Sequence, residues 1–263
     1  MRTPRVVAIG GSDPGGGAGI QADLKTFTAL KVYGMSVVTA VTVQDTRGVR
    51  EVARVSPGLA ARQLAVSVGD IGADVAKTGM LGGPAMVGAI AATLRALRVR
   101  KIVVDPVMAA KDGTALLDPR ARTALVGRLL PLALLVTPNV QEAEVLAGSR
   151  IRTQAELRSA ARRIAALGPK CVLVKGGHLP GPVCRDLLYC GGVFQAFEAA
   201  RVRTKNTHGT GCTLAAAVAA FLARGEDVAG AVRSAKRYVT GAVEHALALG
   251  EGRGPLNHYW ELP

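Results

Sequence analysis

Short apolar runs recur along this chain, each closed by a polar or glycine-bearing loop and followed by a segment with helical spacing. That alternation limits the possible folds more than any other feature. Strand-like runs fall at residues 6–10, 35–43, 75–79, 102–106, 134–137 and 171–175. The spacing predicts helices over 20–32, 57–70, 87–97, 120–129, 154–167, 213–223 and 228–249, with Gly34 stopping the first and Pro57 starting the second. A short exposed piece at 49–55 and a hairpin over 186–197 complete the series. Apolar strands this short, separated by helices, are covered on both faces. The order therefore predicts an α/β doubly wound sandwich, a mostly parallel central sheet with helices on either side. No repeat, low-complexity tract or linker interrupts it, so one domain over residues 1–263 is expected. In such sheets ligands bind beyond the carboxyl ends of the strands.

Composition excludes several function classes. No apolar segment reaches the roughly 18 residues that a membrane span needs. Met1-Arg2-Thr3-Pro4 leads into a strand-like run, not the apolar stretch of a signal peptide, so a cytoplasmic protein without a membrane partner is expected. A net charge of +14 invites a nucleic-acid reading, yet the basic residues are scattered, and at 3% the aromatics are too few for a base-stacking platform. The charge reads instead as a soluble surface with some attraction for phosphorylated ligands. Cys171, Cys184, Cys190 and Cys212 show no Cys-x-x-Cys spacing, so neither structural zinc nor a disulfide framework is expected. Cys184 and Cys190 can face each other across the hairpin, but free thiols are the expectation.

Chemistry concentrates in the loops. In Asn206-Thr207-His208-Gly209-Thr210-Gly211-Cys212, two glycines bracket a threonine where a loop becomes a helix. Several backbone N–H groups converge there with the positive end of the helix behind them, which makes a hole for an anion. Cys212, in the first turn, is expected to have a lowered pKa and to serve as a base. An N-capped helix with two turn glycines is the local alternative. The loop over residues 10–19 holds more glycines than a turn needs, and glycine lets a ligand approach the main chain. Its Gly17-Ala18-Gly19-Ile20-Gln21-Ala22 fits a dinucleotide fingerprint in letters only, because that fingerprint starts at the strand tip. No Gly-rich phosphate loop ending in Lys-Ser/Thr and no His-Arg-Asp kinase loop is present.

In Thr137-Pro138-Asn139-Val140-Gln141-Glu142-Ala143-Glu144, Asn139 and Glu142 stand three apart at a strand-to-helix junction. Two oxygens so placed, with Asp105 at another strand end, suit Mg²⁺, which takes few protein ligands and keeps waters and phosphates. A capped helix explains the same pair equally well. Lys175-Gly176-Gly177-His178 follows a further strand, where the lysine can neutralise phosphate charge or simply be solvated. An anion hole, a base, magnesium-type ligands and a cation, all on loops after strands, describe a phosphoryl-transfer site.

These motifs resemble the bacterial hydroxymethylpyrimidine/phosphomethylpyrimidine kinases of thiamine biosynthesis, in the ribokinase-like superfamily. The likeness runs through the segment over residues 11–26, Thr42-Val43-Gln44-Asp45-Thr46, Lys77-Thr78-Gly79-Met80-Leu81, Asp105-Pro106-Val107-Met108, Thr137-Pro138-Asn139 and the segment over residues 206–212. It implies a ribokinase-like fold and an ATP- and Mg²⁺-dependent kinase whose substrate is a small pyrimidine. It also implies that Gln44 reads the aminopyrimidine edge, with Gly11, Asp23 and Met80 as further members of that pocket. By the same likeness Gly209, Thr210, Gly211 and Cys212 form the anion hole and base, and Thr210, Asn139, Lys175 and Lys236 contact the nucleotide. Asp105 and Glu142 serve the metal, and a homodimer is common among such proteins. The wider superfamily has aspartate where Cys212 stands, and relatives commonly have Asn where Asp45 stands. A pyridoxine or pyridoxal kinase, a nucleic-acid-binding module and a catalytically silent pyrimidine sensor remain alternatives.

Overall fold

The computed structural model describes residues 2–110, 112–177 and 181–262. Strand β1 (Arg5–Ser12) is an interior strand of the sheet, with Val7 and Ile9 in one apolar core and Val6 and Ala8 in the other. Such two-sided burial produces the continuous apolar runs seen in the sequence. β2 (Tyr33–Gln44) lies parallel to β1, and β3 (Val49–Arg54) returns antiparallel along β2. On the other side β4 (Val75–Thr78), β5 (Ile102–Val104), β6 (Leu135–Val136) and β7 (Cys171–Val174) follow in parallel. β8 (Val183–Cys190) and β9 (Val193–Ala200) add an antiparallel hairpin, giving the order β3-β2-β1-β4-β5-β6-β7-β8-β9.

Helices cover both faces. α2 (Pro57–Ile71), α3 (Pro84–Ala96), α4 (Ala121–Ala124), α5 (Val140–Ala147) and α6 (Gln154–Ala165) contribute to one core. α1 (Gly19–Ala29), α7 (Thr210–Ala223) and α8 (Val228–Glu244) contribute to the other. Residues 213–222 of α7 are all buried, the pattern of a helix enclosed on every side. Pro57 starts α2 as expected, in its first turn; the structure adds Ser56 as the N-cap of α2 and Asp227 as the N-cap of α8. Asn139 and Thr153 each head a reciprocal capping box. Among the described residues no helix is long and apolar enough to cross a membrane.

Several expectations change. The exposed piece at 49–55 is a strand, paired with β2. The segment expected as one helix over 120–129 is a single α-turn followed by a π-turn (Leu125–Leu129) and a 3-10 turn (Leu130–Leu132), since Pro131 has no N–H with which to continue a helix. α1 ends at Ala29, where Lys31 takes a left-handed conformation (φ 58°). α8 stops at Glu244 because the chain turns back, with the Leu247 N–H donating to the Pro255 carbonyl. Cys171 and Cys190 lie directly opposite on β7 and β8, with Cα atoms 4.3 Å apart, and are disulfide-bonded. That corrects the expectation of four free thiols; only Cys184 and Cys212 are free.

Candidate active site

Five strand ends deliver the loops named above to one edge of the sheet: Ser12 from β1, Thr78 from β4, Val104 from β5, Val136 from β6 and Val174 from β7. α7 starts over this edge. Gly209, its N-cap, has φ 81°, and a Cβ there would overlap the carbonyl oxygen of Gly17, so only glycine fits. The Thr210 hydroxyl donates to the Thr207 carbonyl at 2.7 Å, and the Thr213 N–H donates to Gly209 at 2.9 Å. Among the described residues the N–H groups of Gly211 and Cys212 have no backbone acceptor. Two amides and the positive end of a long buried helix thus point to one place, the arrangement an anion needs.

Around that hole sit two lysine–carboxylate pairs. Lys175 Nζ donates to Asp105 Oδ1 at 2.7 Å, and Thr137 Oγ1 donates to the same oxygen at 3.2 Å. A Cβ on Gly211 would lie 3.3 Å from Lys175 Nζ and 4.0 Å from Asp105 Oδ2, which puts both side chains against the first turn of α7. The bridge between Asn139 and Lys175 brings the start of α5 to the same spot. The second pair is deeper: Lys77 Nζ lies 2.8 Å from both oxygens of Asp23, with each side chain 1% exposed. Burial works against both charges and lifts the Asp23 carboxyl to about 6, yet Asp23 holds Lys77 charged well above its ordinary value.

Cys212 is half-buried between these pairs. The thiol is not lowered as the helix end alone suggests. Burial pushes it above its ordinary value, Lys77 and the Gly19 N–H pull it down, and Asp105 and Asp23 push it up again. Desolvation and two nearby carboxylates outweigh Lys77 and the Gly19 amide, which runs against the expectation of a lowered, easily ionised thiol.

Asn139 and Glu142 are occupied with each other. The Glu142 N–H donates to Asn139 Oδ1 at 2.9 Å, and the Asn139 N–H donates to Glu142 Oε2 at 2.8 Å. Both readings of this pair therefore hold locally, as a capping box that also faces the site. Burial raises the Glu142 carboxyl to about 7; Lys175 opposes this and Asp105 adds to it. Two carboxylates share one lysine, which leaves excess negative charge in a buried place. Among the described residues no group of three His, Cys, Asp or Glu is placed to hold a metal. Asp105 and Glu142 nonetheless suit Mg²⁺, which usually takes only one or two protein carboxylates and fills its octahedron with waters and phosphates.

The pyrimidine-pocket residues come together in part. A Cβ on Gly11 would lie 3.0 Å from Met80 Sδ, and the Met80 carbonyl accepts from Thr39 Oγ1 at 2.6 Å. Gln44 ends β2, close enough to Asp13 to help lower its carboxyl. Asp23 lies beneath, closed off by Lys77. Lys236 stands apart: its Nζ donates to Asp186 Oδ2 at 2.7 Å, beside a cavity of about 440 Å³ lined by Arg233, Arg237, Thr240, Trp260 and Ala200. Asp186 connects it back to the site, because its Oδ1 accepts the Gly176 N–H next to Lys175. His178 lies outside the described residues. Residues that lie in the named motifs but carry no role from sequence alone include Asp13, His208 and Lys77. Thr78 is another: its buried hydroxyl has no partner among the described residues, and it lines a small cavity with Asp105.

The profile of the phosphomethylpyrimidine kinase family matches residues 13–257. Hydroxymethylpyrimidine/phosphomethylpyrimidine kinase of Rhizobium meliloti is 48% identical, with 98% of this chain and 97% of that protein covered. The Escherichia coli protein of the same name is 44% identical, with 98% of each covered. Thiamine biosynthesis bifunctional protein ThiED of Geobacter sulfurreducens is 51% identical over 96% of this chain, which spans only 52% of that longer protein. Among solved structures, Staphylococcus aureus pyridoxal kinase in complex with AMP-PCP and pyridoxal superposes with a TM-score of 0.92. It is 35% identical, with 100% of this chain and 96% of that one covered. Clostridium difficile phosphomethylpyrimidine kinase gives 0.81 at 39% identity, covering 91% of this chain and 99% of that one. The expected ribokinase-like fold holds.

Proposed function

Because this chain belongs to the phosphomethylpyrimidine kinase family, we propose that it transfers the γ-phosphoryl group of ATP to 4-amino-5-hydroxymethyl-2-methylpyrimidine, and a second to the resulting monophosphate, in thiamine biosynthesis. The observation that carries this reading is the start of α7, where the Gly211 and Cys212 amides converge beside Lys175 and a thiol. Fixed donors aimed at the transferring phosphoryl group stabilise charge as it spreads over the equatorial oxygens. Lys175 adds a cation at that point. Cys212 accepts the proton of the attacking hydroxyl in the first step. Because burial keeps this thiol protonated at neutral pH, it acts through a small thiolate fraction, and the first step quickens with rising pH. In the second step the nucleophile is already a phosphate oxygen, so the base matters less.

Gly11, Met80 and Gln44 receive the ring, and the Gln44 amide matches a donor–acceptor edge. Asp23 supports that pocket from below through Lys77. The nucleotide lies along Asn139 and Thr210, with its base end toward Lys236 and the cavity beside α8. Asp105 and Glu142 would hold Mg²⁺, which when bound neutralises charge on the phosphates. The protein works as a cytoplasmic homodimer formed by a single domain. Exposed Val41 and Val43 on β2 support the dimer, and light scattering tests it.

The solved pyridoxal kinases keep a second ring in view. ADP release measured with the hydroxymethylpyrimidine, its monophosphate, pyridoxine and pyridoxal at one ATP concentration decides. The reading stands if both pyrimidines outpace both pyridines, and falls if they do not.

A further inference from the structure

Asp13 is the meeting point of two loops. It is 3% exposed and sits in the glycine-rich loop between β1 and α1. Its Oδ1 accepts the Gly15 N–H at 2.8 Å, and its Oδ2 accepts those of Gly17 and Ala18 at 3.2 and 2.8 Å. The same Oδ2 lies 2.9 Å from His208 Nε2, in the loop that leads into α7. A carboxylate only accepts, so Nε2 carries the proton. Burial works to raise the Asp13 carboxyl, but bonds from His208 and Ala18, with a smaller share from Gln44, hold it below its ordinary value. His208 is itself anchored: its N–H donates to the Gly254 carbonyl at 3.1 Å, and the Gly254 N–H donates to Asn206 Oδ1 at 3.2 Å. At this junction a Cβ on Gly17 would meet His208 Cδ2 at 2.5 Å, so the two loops are in contact with no space between them.

We propose that His208, through its bond to Asp13, is a positioning residue that fixes the spacing between the acceptor-binding loop and the anion hole. The inference rests on the kinase reading above. The β1–α1 unit carries Gly11 and Asp23; α7 carries Gly211 and Cys212. Asp13 and His208 are 195 residues apart in the chain, so connectivity does not set the distance between those units. Transfer needs reacting atoms about 3–3.5 Å apart, and a misplacement of about 1 Å costs on the order of 100-fold in rate. A charge-assisted bond from a planar ring, shared with two backbone amides on the same oxygen, resists both sliding and tilting of one loop against the other.

The test compares His208→Leu, which fills the space without a donor, with His208→Gln, whose amide N–H has about the reach of Nε2. In His208→Leu, kcat falls about 10–100-fold while KM for ATP and for the pyrimidine moves less than about 3-fold; His208→Gln stays within about 3-fold of wild type. In an Asp13→Ala background, adding His208→Leu costs less than about 2-fold more, because the acceptor of that bond is already gone. Wild-type kcat in His208→Leu, or a His208→Gln enzyme as slow as His208→Leu, overturns the proposal. A rise confined to KM also overturns it, since it assigns His208 to binding. If His208→Leu does not fold, the glutamine variant decides alone, with the same limit on its kcat. Failure of the wild-type protein to phosphorylate the pyrimidine sinks the kinase reading instead, and is seen before any variant is made.

Discussion

Replacing Lys77 with methionine removes the cation from a pair sealed inside the protein. Lys77 Nζ lies 2.8 Å from both oxygens of Asp23, and each side chain is 1% exposed. Methionine roughly keeps the stem volume, so the principal loss is charge. Breaking a buried pair by removing one partner costs about 3–5 kcal/mol, because the remaining charge is stranded. That is a large part of the roughly 5–15 kcal/mol that holds a domain folded. With a urea slope of about 3 kcal/mol/M for a chain of this size, the unfolding midpoint falls by about 1–1.7 M. Asp23 can escape by taking a proton. Its carboxyl is raised to about 6 even beside Lys77, and without the lysine it rises further above its unfolded value. A raised carboxyl contributes stability that is complete at low pH and lost as the pH climbs through the folded pKa. The deficit of Lys77→Met therefore grows from pH 5 to pH 8, and adding Asp23→Asn recovers about half of it. Urea titrations followed by far-ultraviolet circular dichroism at the two pH values measure this. A loss below about 1 kcal/mol, or one equal at both pH values, would refute a buried, ionised pair.

Other consequences are equally direct. Cys212→Ala slows phosphorylation of the alcohol at least about tenfold and of the monophosphate less than about threefold, as read by ADP release with each acceptor; equal losses count against Cys212 as base. In a Cys184→Ser background, Cys212 reacts slowly with iodoacetamide at pH 7, and its rate is still climbing at about pH 9. A plateau by pH 8 would contradict the raised thiol. His258 is 1% exposed, and burial, with Lys25 nearby, holds it down at about 4. The unfolded chain takes up that proton first, so stability is unaffected above about pH 6.5 and falls by about 3 kcal/mol on the way to pH 4. Removing the imidazole in His258→Gln should flatten that part of the stability profile.

Much of the architecture was legible because burial on two sides writes itself as uninterrupted apolar strands. β1, β4, β5, β6 and β7 all read this way, and Pro57 and Asn139 mark helix starts. Edges were less legible. β3 is exposed along most of its length, and its identity as a strand comes from pairing with β2, not from its own pattern. The Cys171–Cys190 bond depends on the register of β7 against β8, which neither cysteine announces. At the site, loop chemistry showed which groups matter, and distant partners decide how they behave. Cys212 sits on its own helix end, as read, but Asp105, Asp23 and burial set its proton affinity. Asp23 needed Lys77, 54 residues on, and Lys236 needed Asp186, 50 residues back. Local spacing carries none of these pairings.

The most direct test of phosphoryl transfer at the start of α7 follows the products in time. The protein, ATP and Mg²⁺ are mixed with the hydroxymethylpyrimidine, and phosphorus species are monitored by magnetic resonance. A pyrimidine monophosphate that rises and then gives way to the pyrophosphate, with two ADP formed per ring, is the expected result. Intact ATP and an unmodified ring after prolonged incubation would contradict the account.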